Sequence, residues 1–216
     1  MKIKLLVLAS LVIAHANVLG QPMAKLKLTK DDSSAHMIAK YEYVNSRDGF
    51  QRIYLYKDRT FKYDFDWTAI GNRFSNGTWE LNGDSVLILN SSINRDCIPV
   101  KIQFLDSVNS GKHYNTCFQI PVNLTGEELP DSRIFINDTS TFAFPFFDTL
   151  IGRYVRVNKI KIDFGNGIKS SWIPIEQRKF NYLLVIAQVE FKLASYEFFH
   201  KKRFRVLKDG IISEDD

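Results

Sequence analysis

The chain has 216 residues, a formal net charge of +5, 45% hydrophobic and 25% charged residues, and two cysteines. Such fractions belong to a folded globular chain and exclude wholesale disorder. Two cysteines exclude a disulfide-dense scaffold and any cysteine-cluster metal site.

At the start, Lys2 and Lys4 precede an apolar run from Leu5 to Ala14. Ala14-His15-Ala16 offers small residues for cleavage, and a second cut is available between Gly20 and Gln21. This predicts a secretory signal peptide over residues 1–20. The run is about ten residues, whereas a membrane span needs about twenty. No cysteine lies near the cut to carry a lipid. The expectation is an exported mature chain, periplasmic or extracellular, with no transmembrane segment. Losing Lys2 and Lys4 leaves 27 basic against 24 acidic residues, a net of +3. So weak a balance argues against a nucleic-acid partner.

Residues 21–40 are polar and mixed, with Asp32 or Ser33 placed to cap a short helix running to Lys40. From Tyr41 the period becomes two, and aromatic residues (13% of the chain) favour strands. Phe50–Lys57 and Thr60–Thr68 read as a hairpin across Lys57-Asp58-Arg59. A two-residue loop would set Ile53 against Asp64. A loop one residue longer pairs Leu55 with Phe61, Ile53 with Tyr63 and Arg52 with Asp64, matching apolar with apolar and plus with minus. That register needs Arg59 in the left-handed region, at about 1 kcal/mol, so Arg59→Gly is expected to stabilise. One face then carries Ile53, Leu55, Phe61, Tyr63, Phe65 and Trp67, a core stripe. The other carries Arg52, Tyr54, Tyr56, Lys62, Asp64 and Asp66.

Trp79 and Leu81 lead into Asn82-Gly83, a type I′ turn signal, with Val86 and Ile88 expected back on the same face. Residues 41–96 therefore read as an antiparallel meander, a partial barrel or one sheet of a sandwich. Residues 97–190 hold six further strand-like runs, separated by turns such as Asn109-Ser110-Gly111 and Gly165-Asn166-Gly167, and read as a small β-sandwich. In residues 191–216, Tyr196–Phe199 is expected to pair with Arg203–Leu207 across His200-Lys201-Lys202, before an acidic tail. The predicted class is all-β: a meander or partial barrel plus an Ig-like sandwich.

Two stretches carry resemblances. Ile53 to Tyr63, followed by Gly77 to Leu89, resembles the lipocalin-like meander of small exported bacterial proteins. There the turn usually reads Lys-Asp-Gly-Thr, and Arg59 departs from it. Leu129-Pro-Asp-Ser-Arg-Ile-Phe-Ile-Asn137, then Lys159 to Ile175, resembles the carboxypeptidase-regulatory, prealbumin-like sandwich. The Thr-Asp-x-x-Gly usual in that family has only loose echoes at Asp138-Thr139 and Asp148-Thr149. The prealbumin-like resemblance implies a non-catalytic module, often attached to outer-surface or periplasmic proteins; separately, no cofactor is expected.

Signals for chemistry are few. His36, His113 and His200 lie far apart and in no zinc pattern, so no metal site is expected. Cys117 with His113 is better read as a structural cysteine than as a nucleophile pair. No nucleophile elbow or phosphate loop occurs. Cys97 and Cys117 form a candidate disulfide closing about twenty residues, worth about 3 kcal/mol; two buried thiols are the alternative. Asp64 and Asp66, about 7 Å apart on one strand face, suit a glycosidase pair or a calcium site. Arg52 and Lys62 beside them favour a salt-bridge ladder instead. Tyr54 and Tyr56 on that face are candidates for stacking on a glycan or anchoring a protein partner. Lys201, Lys202, Arg203 and Arg205 form a basic patch suited to an anionic surface or, preferably, to a charged edge strand that resists aggregation. Asn76, Asn90, Asn123 and Asn137 head Asn-x-Ser/Thr triplets. The functional expectation is an exported, non-enzymatic binding or assembly protein of the cell envelope. The rival is a secreted glycan hydrolase using Asp64 and Asp66.

Overall fold

The computed structural model describes residues 21–45, 48–69, 71–105, 117–138, 141–143, 157–176 and 182–214. The predicted signal, the Asn109-Ser110-Gly111 turn and His113 lie outside them. In chain order come β1 (Met23–Lys25), α1 (Lys30–Ser34), β2 (Met37–Asn45), β3 (Gly49–Tyr56), β4 (Thr60–Trp67), β5 (Gly71–Asn82) and β6 (Val86–Ser91). Next are β7 (Val100–Leu105), β8 (Cys117–Phe118), β9 (Val122–Asn123), β10 (Arg133–Ile136), β11 (Thr141–Ala143), β12 (Lys159–Asp163), β13 (Ile173–Pro174) and β14 (Tyr182–Ala187). A 3-10 turn at Leu193–Ser195 leads to β15 (Lys202–Leu207) and β16 (Gly210–Ser213). The protein is all-β. No helix among the described residues is long and apolar enough to cross a membrane.

The chain divides into two units: residues up to 92 together with 197 onward, and residues 93–196. The first is a closed barrel in the order β1-β16-β15-β6-β5-β4-β3-β2. The meander expected over 41–96 supplies only part of it. Short β1 joins β2 to β16, which shuts the cylinder. At that seam Gly210 is opposite Ala24, and a Cβ on it would collide with the Met23 carbonyl. α1 is shorter than expected. Thr29, one turn before Asp32, is its N-cap, and Asp32 returns a bond to the Thr29 amide in a capping box. The strand period takes over at Met37, so the helix stops well short of Lys40.

The β3–β4 hairpin adopts the longer-loop register, with Leu55 opposite Phe61, Ile53 opposite Tyr63 and Arg52 opposite Asp64. Arg59 has φ 65°, and Asp58 Oδ1 accepts from the Thr60 amide at 3.0 Å and the Thr60 hydroxyl at 2.6 Å. Burying the inward stripe of Ile53, Leu55, Phe61, Tyr63, Phe65 and Trp67 contributes about 1.5–3 kcal/mol per large apolar side chain. The next hairpin departs from expectation. Leu81 faces Leu87 and Trp79 faces Leu89, so the loop is Gly83-Asp84-Ser85 rather than two residues. One extra loop residue exchanges the faces of the returning strand. Leu87 and Leu89 therefore join the barrel core in place of Val86 and Ile88.

The C-terminal segment also differs. Arg203–Leu207 does not pair with Tyr196–Phe199; β15 lies between β6 and β16. Glu197–Phe199 instead forms a strap beside the barrel strands. Glu197 N donates to Phe74 O, and Ser91 N donates to Phe199 O, each at 2.8 Å. The Phe199 ring packs on the core against Phe61, with centroids 5.9 Å apart, and edge-on to Tyr63 at 5.0 Å.

The second unit contains two sheets, β11-β10-β12-β13 and β7-β14-β8, with β9 also on β14. The first is antiparallel, setting Ile134 opposite Ile162 and Ile136 opposite Ile160, all buried. The second is mixed: β7 runs antiparallel to β14, while β8 and β9 run parallel to it.

Candidate functional site

The six residues singled out by period two, Arg52, Tyr54, Tyr56, Lys62, Asp64 and Asp66, all lie on the outward face of β3 and β4. Each alternates with a buried core residue. Rows of neighbours cross this face. Glu42, Arg52 and Asp64 form one row; Lys40, Tyr54 and Lys62 form the next. Arg52 Nε donates to Glu42, the neighbour on β2, rather than to Asp64. Asp64 is held by Lys62 at 3.2 Å. The ladder expected between β3 and β4 is thus shared with β2.

The Tyr54 ring lies between two ammonium groups, Lys40 Nζ at 5.4 Å and Lys62 Nζ at 5.9 Å from its centroid. Partial burial pushes the Tyr54 hydroxyl above its usual range. The Asp64 charge adds to this, and Arg52 and Lys62 partly oppose it. One row over, the Arg52 guanidinium covers the Phe50 ring at 4.1 Å. The face is therefore a sheet of aromatic rings sheathed by cations and edged by the exposed Ile38 and Val44. Tyr56 ends β3 and lines an open concavity of about 500 Å³ with Ala35, His36, Lys57, Asp58 and Thr60. His36 sits there at φ 58°, its carbonyl accepting from Lys57 N at 2.9 Å.

Asp64 and Asp66 do not line this concavity. They stand on an open strand face, and hydrolysis by a carboxylate pair needs a sugar held between the two. Among the described residues no three His, Cys, Asp or Glu side chains gather to hold a metal ion.

The basic patch does not assemble as one surface. Arg203 and Arg205 point outward and share Glu214, at 2.9 and 3.4 Å. Those contacts, Arg203 first, hold the Glu214 carboxyl below its usual range. Lys202 points the other way, beside the Phe204 ring at 5.9 Å. Nor is β15 an edge: both its sides are paired, because the barrel closes around it. The charged-edge reading is therefore corrected.

Cys97 is an exposed free thiol, with Sγ 2.9 Å from Ser171 Oγ, so the candidate bridge to Cys117 is not formed. The topology explains this. Cys117 is opposite Tyr182 at one end of β14, while Val100, just after Cys97, is opposite Ala187 at the other. Five residues of strand span about 17 Å, well beyond the roughly 7 Å limit between bridged Cα atoms. Of the Asn-x-Ser/Thr triplets, Asn76 is exposed. Asn123 is 1% exposed, its Oδ1 accepting from Thr125 and Glu127 amides.

Sequence reasoning missed a polar cluster at the strap. Arg73 is opposite Phe65 on the inward face of β5, and its guanidinium meets Glu197 at 3.0 Å. Nearby, Ser75 Oγ and Ser91 Oγ are 2.8 Å apart, and Gln51 Nε2 donates to the Tyr63 hydroxyl at 3.1 Å. Burial holds that hydroxyl far above its usual range. The one signal was an arginine at an inward position of a strand with weak alternation. Compared with known proteins, the chain matches no family model, no curated protein and no solved structure.

Proposed function

We propose that the protein is an exported, non-enzymatic binding or assembly protein of the cell envelope, acting through the outward face of β2–β4. The observation carrying this reading is the continuity of the half-exposed Tyr54, set between Lys40 and Lys62, with the concavity that Tyr56 lines. Rings with cations at their rims suit a partner that offers both flat apolar surface and hydroxyl or carboxylate groups, as a glycan or an envelope protein does. Engagement of Asp64 by Lys62 on an open face supports binding over hydrolysis.

The test is a glycan array together with a pull-down from envelope extract, using the native chain and a Tyr54→Ala, Tyr56→Ala double variant. A captured partner lost in the double variant, with its thermal unfolding unchanged, supports the proposal. Capture that survives the double variant overturns the assignment to this face. Glycan turnover that disappears in Asp64→Asn would replace binding with the hydrolase.

A further inference from the structure

One sheet of the second unit carries positive charge that its own carboxylates do not balance. In β10 and β12 the side chains of Ile134, Ile136, Ile160 and Ile162 are buried. Period two therefore sends Arg133, Phe135, Lys159, Lys161 and Asp163 to the opposite, outer face. There Phe135 is opposite Lys161 and Arg133 is opposite Asp163. Lys169 meets Asp163 from the other side and so shares that face. Trp172 precedes Ile173, which is opposite the buried Ile160. Its half-buried indole lies under Lys159, with Nζ 4.7 Å from the ring centroid.

Four cations thus stand beside one carboxylate, and that carboxylate is already used: Asp163 Oδ1 accepts from the Gly165 amide at 2.9 Å. Among the described residues, Lys159, Lys161 and Lys169 enter no ion pair. On the β2–β4 face, by contrast, Arg52 and Lys62 each hold a carboxylate. Asp138 and Glu176 stand past the last paired residues of β10 and β13, at one end of the sheet. Lys159 and Lys161 project about 7 Å apart along β12, a spacing at which their charges repel and an added anion relieves both. Binding to a lipid surface draws on apolar side chains that reach into the headgroup layer. Here Phe135 and Trp172 are half-buried, and exposed apolar side chains such as Leu124 and Leu207 lie elsewhere. The weak net charge and the expected export set nucleic acid aside. A chain of sugar rings bearing carboxylates fits what remains.

We propose that the outer face of β10 and β12, with Lys169 and Trp172, binds an acidic polysaccharide. Lys159, Lys161 and Lys169 take its uronate carboxylates, while Trp172 and Phe135 supply apolar surface for the sugar rings. A carboxylate on Lys159 brings its own ring toward the indole beneath. This face shares no residue with the outward face of β2–β4, so either can fail alone. Acidic glycans on an array report on this face, and neutral glycans and envelope proteins report on the other.

The experiment titrates the full chain into a fluorescein-labelled oligogalacturonide at low salt, where such contacts are least screened, and follows anisotropy. The uncharged methyl ester of the same oligomer is the first comparison. Expected are binding at least about fivefold tighter to the free acid, a loss of about tenfold in Lys159→Gln, Lys161→Gln, and a loss of about fivefold in Trp172→Ala. Lys25→Gln, Lys27→Gln makes the same change of charge at exposed positions of the barrel and should bind as native. Tyr54→Ala, Tyr56→Ala should also bind as native. No binding of the free acid, equal binding of the methyl ester, or an equal loss in the Lys25, Lys27 variant overturns the proposal. Tighter binding of a single-stranded oligonucleotide or of phosphatidylglycerol vesicles than of the uronate overturns it too. Loss of binding in the Tyr54, Tyr56 variant alone moves the glycan to the other face.

Discussion

Removing residues 93–196 should leave a barrel that folds. Before and after that stretch, the chain is already held together: Ser91 N lies 2.8 Å from Phe199 O and Ser91 Oγ lies 3.3 Å from Glu197 O. A linker of about six Gly and Ser residues from Ser92 to Glu197 spans so short a gap. Every strand pair of the closed barrel and its whole core cluster survive the deletion. The magnitude comes from loop closure. Barrel formation around an unfolded insert of about 100 residues must close a loop some 17 times longer than the linker, which costs about 2.5 kcal/mol more. The comparator is the full chain carrying Ile160→Asp, which places a carboxylate at a fully buried position of the second unit and should unfold that unit alone. Urea titration followed by far-UV circular dichroism and tryptophan fluorescence provides the assay. In the deletion, only the barrel residues Trp67 and Trp79 report. The expected outcome is one cooperative transition, about 2.5 kcal/mol more stable than the barrel transition of Ile160→Asp. A deletion chain without a cooperative transition, or less stable than the comparator, would refute the reasoning.

Arg59→Gly relieves a left-handed backbone worth about 1–2 kcal/mol. It also gives up about 0.5–1 kcal/mol of chain entropy and a similar contribution from the guanidinium 5.8 Å from the Trp79 centroid. Urea unfolding should find it within about 1 kcal/mol of native, with a larger gain when Trp79 is first changed to Leu; a loss above about 2 kcal/mol contradicts the account. Burial raises the hydroxyls of Tyr41 and Tyr63 above the usual value of 10.0. Their contribution is complete below that pH and declines above it, so melting temperature should fall on the alkaline side, and less steeply in Tyr63→Phe. For Glu214, lowered from 4.5, the sign reverses: its contribution is present above that pH and is lost as pH falls below it, and Glu214→Gln should flatten the acid limb of a melting-temperature series. Cys97 should react with a thiol reagent in the native, unreduced protein. Cys97→Ser should leave the melting temperature within about 2 °C, because no disulfide term of about 3 kcal/mol is at stake.

What was legible in sequence follows the range of each interaction. The β3–β4 register could be read because its partners are a few residues apart and both alternatives could be written out and compared residue by residue. The six outward residues followed from the same alternation. The β5–β6 hairpin was misread by one loop residue, since Asn82-Gly83 advertises a two-residue turn while Leu87 and Leu89 are the better core residues. Arg73 and Glu197 are 124 residues apart, and no local pattern announces their meeting. The basic run at Lys201–Arg205 looked like an edge because nothing local shows that β6 and β16 lie on either side of it. The cysteines failed for the same reason: closeness in sequence does not reveal opposite ends of β14.

The seam of the barrel also sets a timetable. Met23 pairs with Ile211, about 190 residues later, through an approach so tight that a side chain on Gly210 would block it. During synthesis, the first strands therefore wait without their closing partners until Gly210 and Ile211 have emerged. The residues between Ser92 and Glu197 are complete earlier and contain pairings of shorter span. Long-separation pairing is slow, so seam closure should be rate-limiting for folding of the barrel. Until then the seam edges of β1 and β16 lack each other, and unpaired strand edges are templates for other extended chains.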